Sequence, residues 1–382
     1  MTVNRRSVSN GMKLIYAANV RLPTEKAHGI QIMKMCQAFA AGGADVELLV
    51  PRRRNDLKQD SFDFYNIKKT FRITMIPCLD LVSFDVVNIG FFISTASFLI
   101  FAKIYLLLKK YDVLYSREQL AGIFFKDLIL EVHTLPKKIG YLRRQLFNSA
   151  RKIIVLTDFL KNAMIKSGIN DDKILVSPDA VDMKEFDISI SKEVELEKLV
   201  LPSDKKIILD TGSFLLYDWK GVGVLLKTAR LLPENYLLVL VGGHPREIEK
   251  IKQEYNLERI KLVPYTRHQI IPLYLKSADI LVIPNKQGDK ISEEYTSPLK
   301  LFEYMASSRP IVSSDLPSLR EILTEKEALF FKPDSSEDLA GVLLGNIDNL
   351  AMLQKIADNA FMKVQKYTWE NRATQIKGVF NF

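Results

Sequence analysis

The sequence predicts a two-domain α/β protein with a parallel sheet in each domain. Three observations point there. At 382 residues the chain exceeds what one ordinary hydrophobic core organises. Short β-branched runs alternate with helix-length segments in both halves, which is the pattern of βαβ units. The alternation pauses once, over residues 188–204, where the chain is charged and lacks a strand signature.

Residues 13–19 (KLIYAAN) read as the first strand. Residues 30–41 read as a helix that ends at the stop signal Gly42-Gly43, and 45–51 (DVELLVP) as the next strand. Strands at 112–116, 127–133, 152–157 and 173–178 continue the first domain. After the pause, strands at 206–211, 237–242, 261–264, 279–284, 310–314 and 328–331 build the second. The expected division is residues 1–187, a linker at 188–204, and 205–368. The halves share architecture without a close sequence repeat.

Composition narrows the class. Apolar residues make up 47% and charged residues 26%, which excludes a disordered chain. Cys36 and Cys78 are too few for a disulfide framework, and neither has a Cys or His at metal-ligand spacing. They read as inert core thiols of a reduced, cytoplasmic protein. The polar start, with Arg5 and Arg6, leads into a short strand and not into the apolar core of a signal peptide.

The net charge of +9 is unevenly placed. Residues 100–166 carry thirteen Lys and Arg against five Asp and Glu, so nearly the whole excess lies there. A local basic surface implies an anionic partner; a solvated helical face is the plainer alternative. Residues 91–108 form the most apolar segment, with Lys103 as its single charge. They reach the lower edge of a membrane-spanning length. Ser94, Thr95, Ala96 and Ser97 dilute the segment, and the regular βαβ alternation leaves no room for a span. A buried or interfacial helix is therefore expected.

The chemistry-bearing signals lie mostly in the second half. Ser297-Pro298 precedes the strong helix former LKLFEYMAS, so Ser297 reads as an N-cap and Pro298 as the first helical residue. That helix follows the strand at 279–284. In open parallel sheets, ligands bind where strand carboxyl ends meet helix N-termini, and free amides there suit a phosphate. Glu303, inside the helix, can accept hydrogen bonds from a ribose diol, or can simply pair with Lys300. Trp219-Lys220-Gly221 opens a helix after the first strand of the same domain. Lys220 can neutralise a diphosphate, or be a surface lysine beside a turn glycine.

The ordered set resembles a known family. It runs Thr211-Gly212-Ser213, Trp219-Lys220-Gly221, Val-Gly-Gly at 241–243, YLKSADILVIPN at 274–285, SPLKLFEYMA at 297–306 and Arg-Pro-Ile-Val at 309–312. The first half adds ANVRLPTEKAHG at 18–29, Glu-Val-His at 131–133 and Asp-Ala-Val-Asp at 179–182. Together, over about residues 13–370, they are similar to family-4 retaining glycosyltransferases of the GT-B fold. That fold implies two Rossmann-like domains facing each other across a cleft, an acceptor-binding first domain and a nucleotide-sugar-binding second. Residues 369–382 would pack back on the first.

The resemblance implies roles for matched positions. Lys220 would bind the donor diphosphate and Glu303 the ribose hydroxyls. Amides near Ser297, Pro298, Leu299 and Lys300 would meet the distal phosphate. Gly29, in the loop after the first strand, would let backbone approach the donor. His133 would contact the donor sugar, although a lone histidine at a strand end is more often structural. Pro264 and Tyr265 would edge the nucleobase. Two positions depart from the pattern. Tyr295 stands where the first of two glutamates is expected, with Glu293 and Glu294 out of register. Ser213 stands where an arginine is common, which leaves Arg21, Lys26 or Lys300 to compensate.

The activity so implied is transfer of a hexose from a UDP- or GDP-sugar to a hydroxyl of a glycan or lipid-linked acceptor, with retention by front-face attack. No Asp-x-Asp triplet occurs, so neither a metal nor another cofactor is expected. Lys137-Lys138, Arg143-Arg144 and Arg151-Lys152 would draw the first domain to an anionic inner membrane face. Nucleic acid is not an expected partner, because the basic residues lack aromatic interleaving. A Rossmann dehydrogenase is not expected, because no G-x-G-x-x-G follows any strand. A sugar-nucleotide epimerase of the same fold, or a catalytically degenerate subunit, remains the alternative.

Overall fold

The computed structural model describes residues 11–81, 89–136, 138–188 and 192–380. They form two compact units. The first takes the described residues through Ile154, with Met164–Leu175 and those from Ala373 onward. The second takes Val155–Ala163 and Val176–Arg372.

The first unit is built on a seven-stranded sheet of order β3-β2-β1-β4-β5-β6-β7. Its strands are β1 (Lys13–Ala17), β2 (Asp45–Pro51), β3 (Arg72–Ile76), β4 (Val113–Ser116), β5 (Ile129–Val132), β6 (Lys152–Val155) and β7 (Ile174–Val176). β1 pairs in parallel with β2 and β4, β2 with β3, and β4 with β5. The chain end joins this unit. Phe380 packs its ring on Phe39 at 5.9 Å, and Arg151 Nη2 donates to the Phe380 carbonyl at 3.2 Å.

The second unit has a six-stranded sheet of order β10-β9-β8-β11-β12-β13, all in parallel pairs. The strands are β8 (Lys206–Thr211), β9 (Tyr236–Gly243), β10 (Ile260–Pro264), β11 (Ile280–Ile283), β12 (Ile311–Ser314) and β13 (Leu329–Phe331). Alternate residues serve opposite faces, as the two-residue strand period requires. Ile207, Leu209, Leu281 and Ile283 face one core with Leu301, Phe302 and Met305. Ile208, Ile280 and Val282 face the other with Val222, Leu225 and Leu226. Both faces are covered, which is why these strands are continuously apolar.

Several expectations need correction. Most strands are one to three residues shorter than their apolar runs, and the Arg72–Ile76 strand was not anticipated, because two of its five side chains are exposed and two more are half-buried. The stretch at 188–204 is not a bare linker. It contains the Lys192–Lys198 helix, whose Leu196 joins Leu201 in the core of the second unit. The first helix begins at Ala27, so Gly29 is helical and not in a loop. A Cβ on Gly29 would lie 2.1 Å from the Tyr65 hydroxyl, which bridges the Thr24 amide and carbonyl at 2.8 and 2.7 Å. Packing against Tyr65 therefore accounts for this glycine. Cys36 is a core thiol, its pKa pushed well up by burial, whereas Cys78 is half-buried outside the core. Arg5, Arg6 and Lys137 lie outside the described residues.

Candidate functional site

In the second sheet the strand order reverses at β8 and β11, so the crevice beyond their carboxyl ends is where an open α/β sheet takes a ligand. Asp210 to Ser213 leave β8 there, and Pro284 and Asn285 leave β11.

Lys220 closes a single helical turn, Asp218–Lys220, just before the Val222–Leu231 helix. Its Nζ donates to Ser213 Oγ at 2.8 Å. Burial lowers its pKa to about 8; the Lys300 charge pushes the same way, while Asp210 and Glu247 oppose. A buried ammonium near a second ammonium is under-neutralised, and an anion would relieve it. Lys300 extends from the facing helix, Leu299–Ala306, and pairs with Asp210 at 2.5 Å. Tyr304, one turn further on, is fully buried; it donates to Asp210 at 3.1 Å and accepts from the Thr211 amide at 2.8 Å. Helix and strand end are thus locked together, and Ser213, standing where an arginine is common, anchors Lys220.

The turn holding Lys220 is clasped by the β11 loop. Lys286 N donates to the Trp219 carbonyl at 2.8 Å, and Lys286 Nζ meets Asp218 at 2.6 Å. Gly221 has φ 72°, and a Cβ there would lie 1.7 Å from the Pro284 carbonyl. Gly221→Ala is therefore expected to cost at least about 2 kcal/mol, from the left-handed backbone and the clash together. The lost stability reads out in urea denaturation, and a lower affinity for nucleoside diphosphate should accompany it. An unchanged denaturation midpoint would contradict this geometry.

The Leu299–Ala306 helix starts one residue later than expected. Pro298 is its N-cap, with φ −74° and ψ 133° and no capping side chain. Ser297 does not cap, because its Oγ accepts from the Asp179 amide at 3.1 Å. In the first turn the Leu301 amide donates back to the Pro298 carbonyl at 2.9 Å, which leaves the Leu299 and Lys300 amides at the helix start available to an anion. Glu303 does not pair with Lys300. Its Oε1 meets His268 Nε2 at 2.7 Å, and its Oε2 has no hydrogen-bond partner among the described residues. The His268 ring is steadied edge-on by Phe186, with centroids 5.4 Å apart.

His268 was missed in the sequence. Its only signal is its place three residues beyond Tyr265, at the carboxyl end of β10. Pro264 and Tyr265 are exposed at that same strand end, with the Tyr265 amide tied to the Gly243 carbonyl at 2.9 Å. Asn285 was also missed. It is 1% exposed, and neither end of its amide has a partner among the described residues. Such a buried amide costs about 1–3 kcal/mol per group, which an apolar residue would avoid.

Tyr295, standing where a glutamate was expected, is 5% exposed in the one-turn helix Ile291–Tyr295. The nearby carboxylates are occupied otherwise: Glu293 accepts from the Gly288 amide at 2.8 Å, and Glu294 lies 3.8 Å from Lys290.

His133 belongs to the first unit. Arg117 Nη2 lies 3.2 Å from its Nδ1, and Glu131 Oε1 lies 2.7 Å from its Nε2. Arginine only donates, so Nδ1 accepts and the ring proton sits on Nε2, donated to Glu131. Glu131 is fully buried and also receives Gln31 Nε2 at 2.6 Å and the Tyr115 hydroxyl. His28 nearby is held at a pKa of about 4 by burial, with Arg117, Lys26 and His133 adding to the shift. His133 is therefore a ring held in one orientation and one tautomer. Arg21 and Lys26 also lie in the first unit; within the second unit, Lys300 is the cation that acts on Lys220.

Residues 205–349, within the second unit, match the family model described as glycosyl transferases group 1. The chain is similar to the amylovoran biosynthesis glycosyltransferase AmsK of Erwinia amylovora. The two are 24% identical over 223 residues, covering 56% of this chain and 51% of that one. The match thus spans about half the length of that relative. Among solved structures, sucrose-phosphate synthase from Thermosynechococcus elongatus superposes with TM-score 0.76 at 19% identity, covering 97% of this chain and 98% of that one. HepE from Anabaena, in complex with UDP-glucose, gives TM-score 0.75 at 16% identity, covering 96% and 98%. These likenesses show the fold, which is GT-B: two α/β units, each with a parallel sheet.

Proposed function

We propose that this protein is a retaining glycosyltransferase that moves a hexose from a UDP- or GDP-sugar to a hydroxyl of a glycan or lipid-linked acceptor. Assembly of a polysaccharide, glycolipid or glycoprotein glycan is the setting that fits its relatives' names. The observation that carries the reading is the buried Lys220 ammonium, on which Lys300 also acts, together with the Leu299 and Lys300 amides that open the Leu299–Ala306 helix. That arrangement is chemically suited to a diphosphate, and Glu303, with one oxygen spare, is suited to a ribose diol. HepE, of the same fold, is a protein seen with UDP-glucose.

In this reaction the bond from the anomeric carbon to the phosphate oxygen breaks, and a bond to the acceptor oxygen forms on the same face. The acceptor proton passes to the departing phosphate. Lys220 and the helix amides stabilise the charge that develops on the leaving group, which is the main electrostatic demand. No protein nucleophile and no metal takes part in this scheme. Closure that excludes water would limit hydrolysis of the donor.

A thermal-shift screen over UDP, GDP and their sugars tests the reading. A ligand at a hundred times its Kd stabilises by about 2.7 kcal/mol, enough for a clear rise in melting temperature. At least one nucleoside diphosphate should produce it, and NMR of the product should show a retained anomeric configuration. No shift with any nucleotide would sink the proposal. A shift without turnover on any acceptor would favour a degenerate, donor-binding subunit, the alternative that Tyr295 and Ser213 support.

A further inference from the structure

The Ile89–Leu107 helix is long and apolar enough to cross a membrane, yet only 39% of its most apolar eighteen residues are buried. The burial is one-sided. Ser94, Thr95, Phe98, Leu99 and Ala102 face the protein, where the helix packs on β2 and β3. The polar members are bonded there: Ser94 Oγ accepts from Arg53 at 3.0 Å, Thr95 Oγ1 from Asn19 at 2.7 Å, and Ser97 Oγ from the Leu79 amide at 2.9 Å. A spanning helix would have to abandon that whole face.

The other face is bare. Ile89, Phe92, Ile93, Ile100, Ile104 and Leu107 are exposed at helical spacing, Phe92 by 55% and Leu107 by 76%. Leu79 and Leu81, on the segment bonded to Ser97, are exposed as well. The Ala121–Phe124 turn lies against both this helix and the Tyr141–Ser149 helix, and it adds exposed Ile123. The latter helix adds exposed Tyr141 and Leu142.

We propose that this helical side of the first unit lies in the interface of an anionic lipid bilayer, with the Ile89–Leu107 helix in the membrane plane. Charge selects that occupant. The three helical segments contain no Asp or Glu, while Lys103, Arg143 and Arg144 lie among the apolar residues. Lys103 stands in the middle of the exposed stripe without an ion-pair partner among the described residues. Asp80, between Leu79 and Leu81, is the acid beside them, and it accepts from the Arg54 amide at 2.9 Å; a second copy docked on the same face would set the cationic helices against themselves. Anionic headgroups instead meet the cations, while long lysine and arginine stems let their charges rise to the headgroup level. Lys110 and Arg54, both exposed near the ends of the patch, extend the basic rim.

The test uses the full chain and vesicles of phosphatidylcholine with and without phosphatidylglycerol. The wild type should float with the anionic vesicles and at least about tenfold less with neutral ones or in high salt. The double variant Phe92→Ser/Ile104→Ser should lose at least about tenfold in binding to anionic vesicles. Its nucleotide-induced melting shift should be unchanged, so failure here is separable from failure of the donor reading. Should that variant not fold, Phe101→Trp serves. The native tryptophans, Trp219 and Trp369, both lie in the second unit, so brominated acyl chains should quench the added fluorescence. Absence of flotation with anionic vesicles at low salt would overturn the proposal. So would undiminished binding by the double variant, or added fluorescence in Phe101→Trp that the brominated chains leave unquenched. Light scattering that shows a dimer which the double variant dissolves would overturn it as well.

Discussion

Lys220→Met is expected to lower glycosyl transfer by at least about a hundredfold, the scale seen when one preorganised donor to a developing anion is removed. The fold should survive, and at pH 7 it should be as stable as the wild type or more so. Burial and the Lys300 charge bring the Lys220 pKa from 10.5 to about 8. The folded chain therefore binds this proton less tightly than the unfolded chain. Below pH 8 the buried ammonium costs stability, up to about 3 kcal/mol from that difference. The cost is relieved as pH rises from 8 to 10.5. Methionine removes the ammonium and keeps the stem, so the variant should gain stability at pH 7 and gain nothing near pH 10.5. For the wild type, kcat/KM for the donor should fall above pH 8, because the protonated form is the one that receives a diphosphate. Urea denaturation at both pH values and a pH–rate profile check these points. Undiminished transfer in Lys220→Met would remove the lysine from the site.

The opposition between stability and function at Lys220 also explains what could be read from the chain alone. The fold was legible because strands buried on both faces leave continuous apolar runs, and both sheets consist of such runs. The exceptions have physical causes. β3 has exposed and half-buried positions, so its run is diluted by Arg72 and Thr74. The Lys192–Lys198 helix buries one apolar side chain, Leu196, beside the charged Glu195, so residues 188–204 carry too little apolar pattern to read as a helix.

Candidate site residues were legible to the extent that a single segment carries them. Lys220, Lys300 and Glu303 each sit in a motif, and the fold brings all three to the reversal point of one sheet. Their partners were not legible, since pairing is a property of the third dimension. Lys300 finds Asp210, ninety residues away in the chain, and Glu303 finds His268 and not its helical neighbour. Gly29 shows a converse case, in its placement: it lies in the first helix and not in a loop. A glycine near a presumed ligand loop was explained by the ligand, whereas the Tyr65 hydroxyl already fills the space a side chain would need. Ser297 shows a milder one. A serine before a helix is a good cap in isolation, but here the Asp179 amide takes its oxygen.

The His268–Glu303 pair yields the second large effect. Glu303→Ala should reduce transfer by about a hundredfold, chiefly through weaker nucleotide binding, because hydrogen bonds from a ribose diol to a charged acceptor are worth about 1.5–3 kcal/mol each. His268→Ala should cost less, about tenfold, since it acts on the ligand only by orienting the carboxylate. Two groups that act as one unit are non-additive, so the double variant should be no worse than Glu303→Ala alone. The diagnostic measurement compares a nucleoside diphosphate with its 2′-deoxy analogue. Wild type should prefer the ribose form by about tenfold or more. Glu303→Ala should bind both equally, because the group that reads the hydroxyl is gone. His268→Ala should keep part of the preference, since the carboxylate remains, less firmly aimed. If Glu303→Ala still discriminates ribose from deoxyribose, Glu303 is a structural partner of His268 and the ribose is held elsewhere. The same result would leave the diphosphate assignment to Lys220 and the helix amides intact, because phosphate contacts and ribose contacts are separate parts of the site.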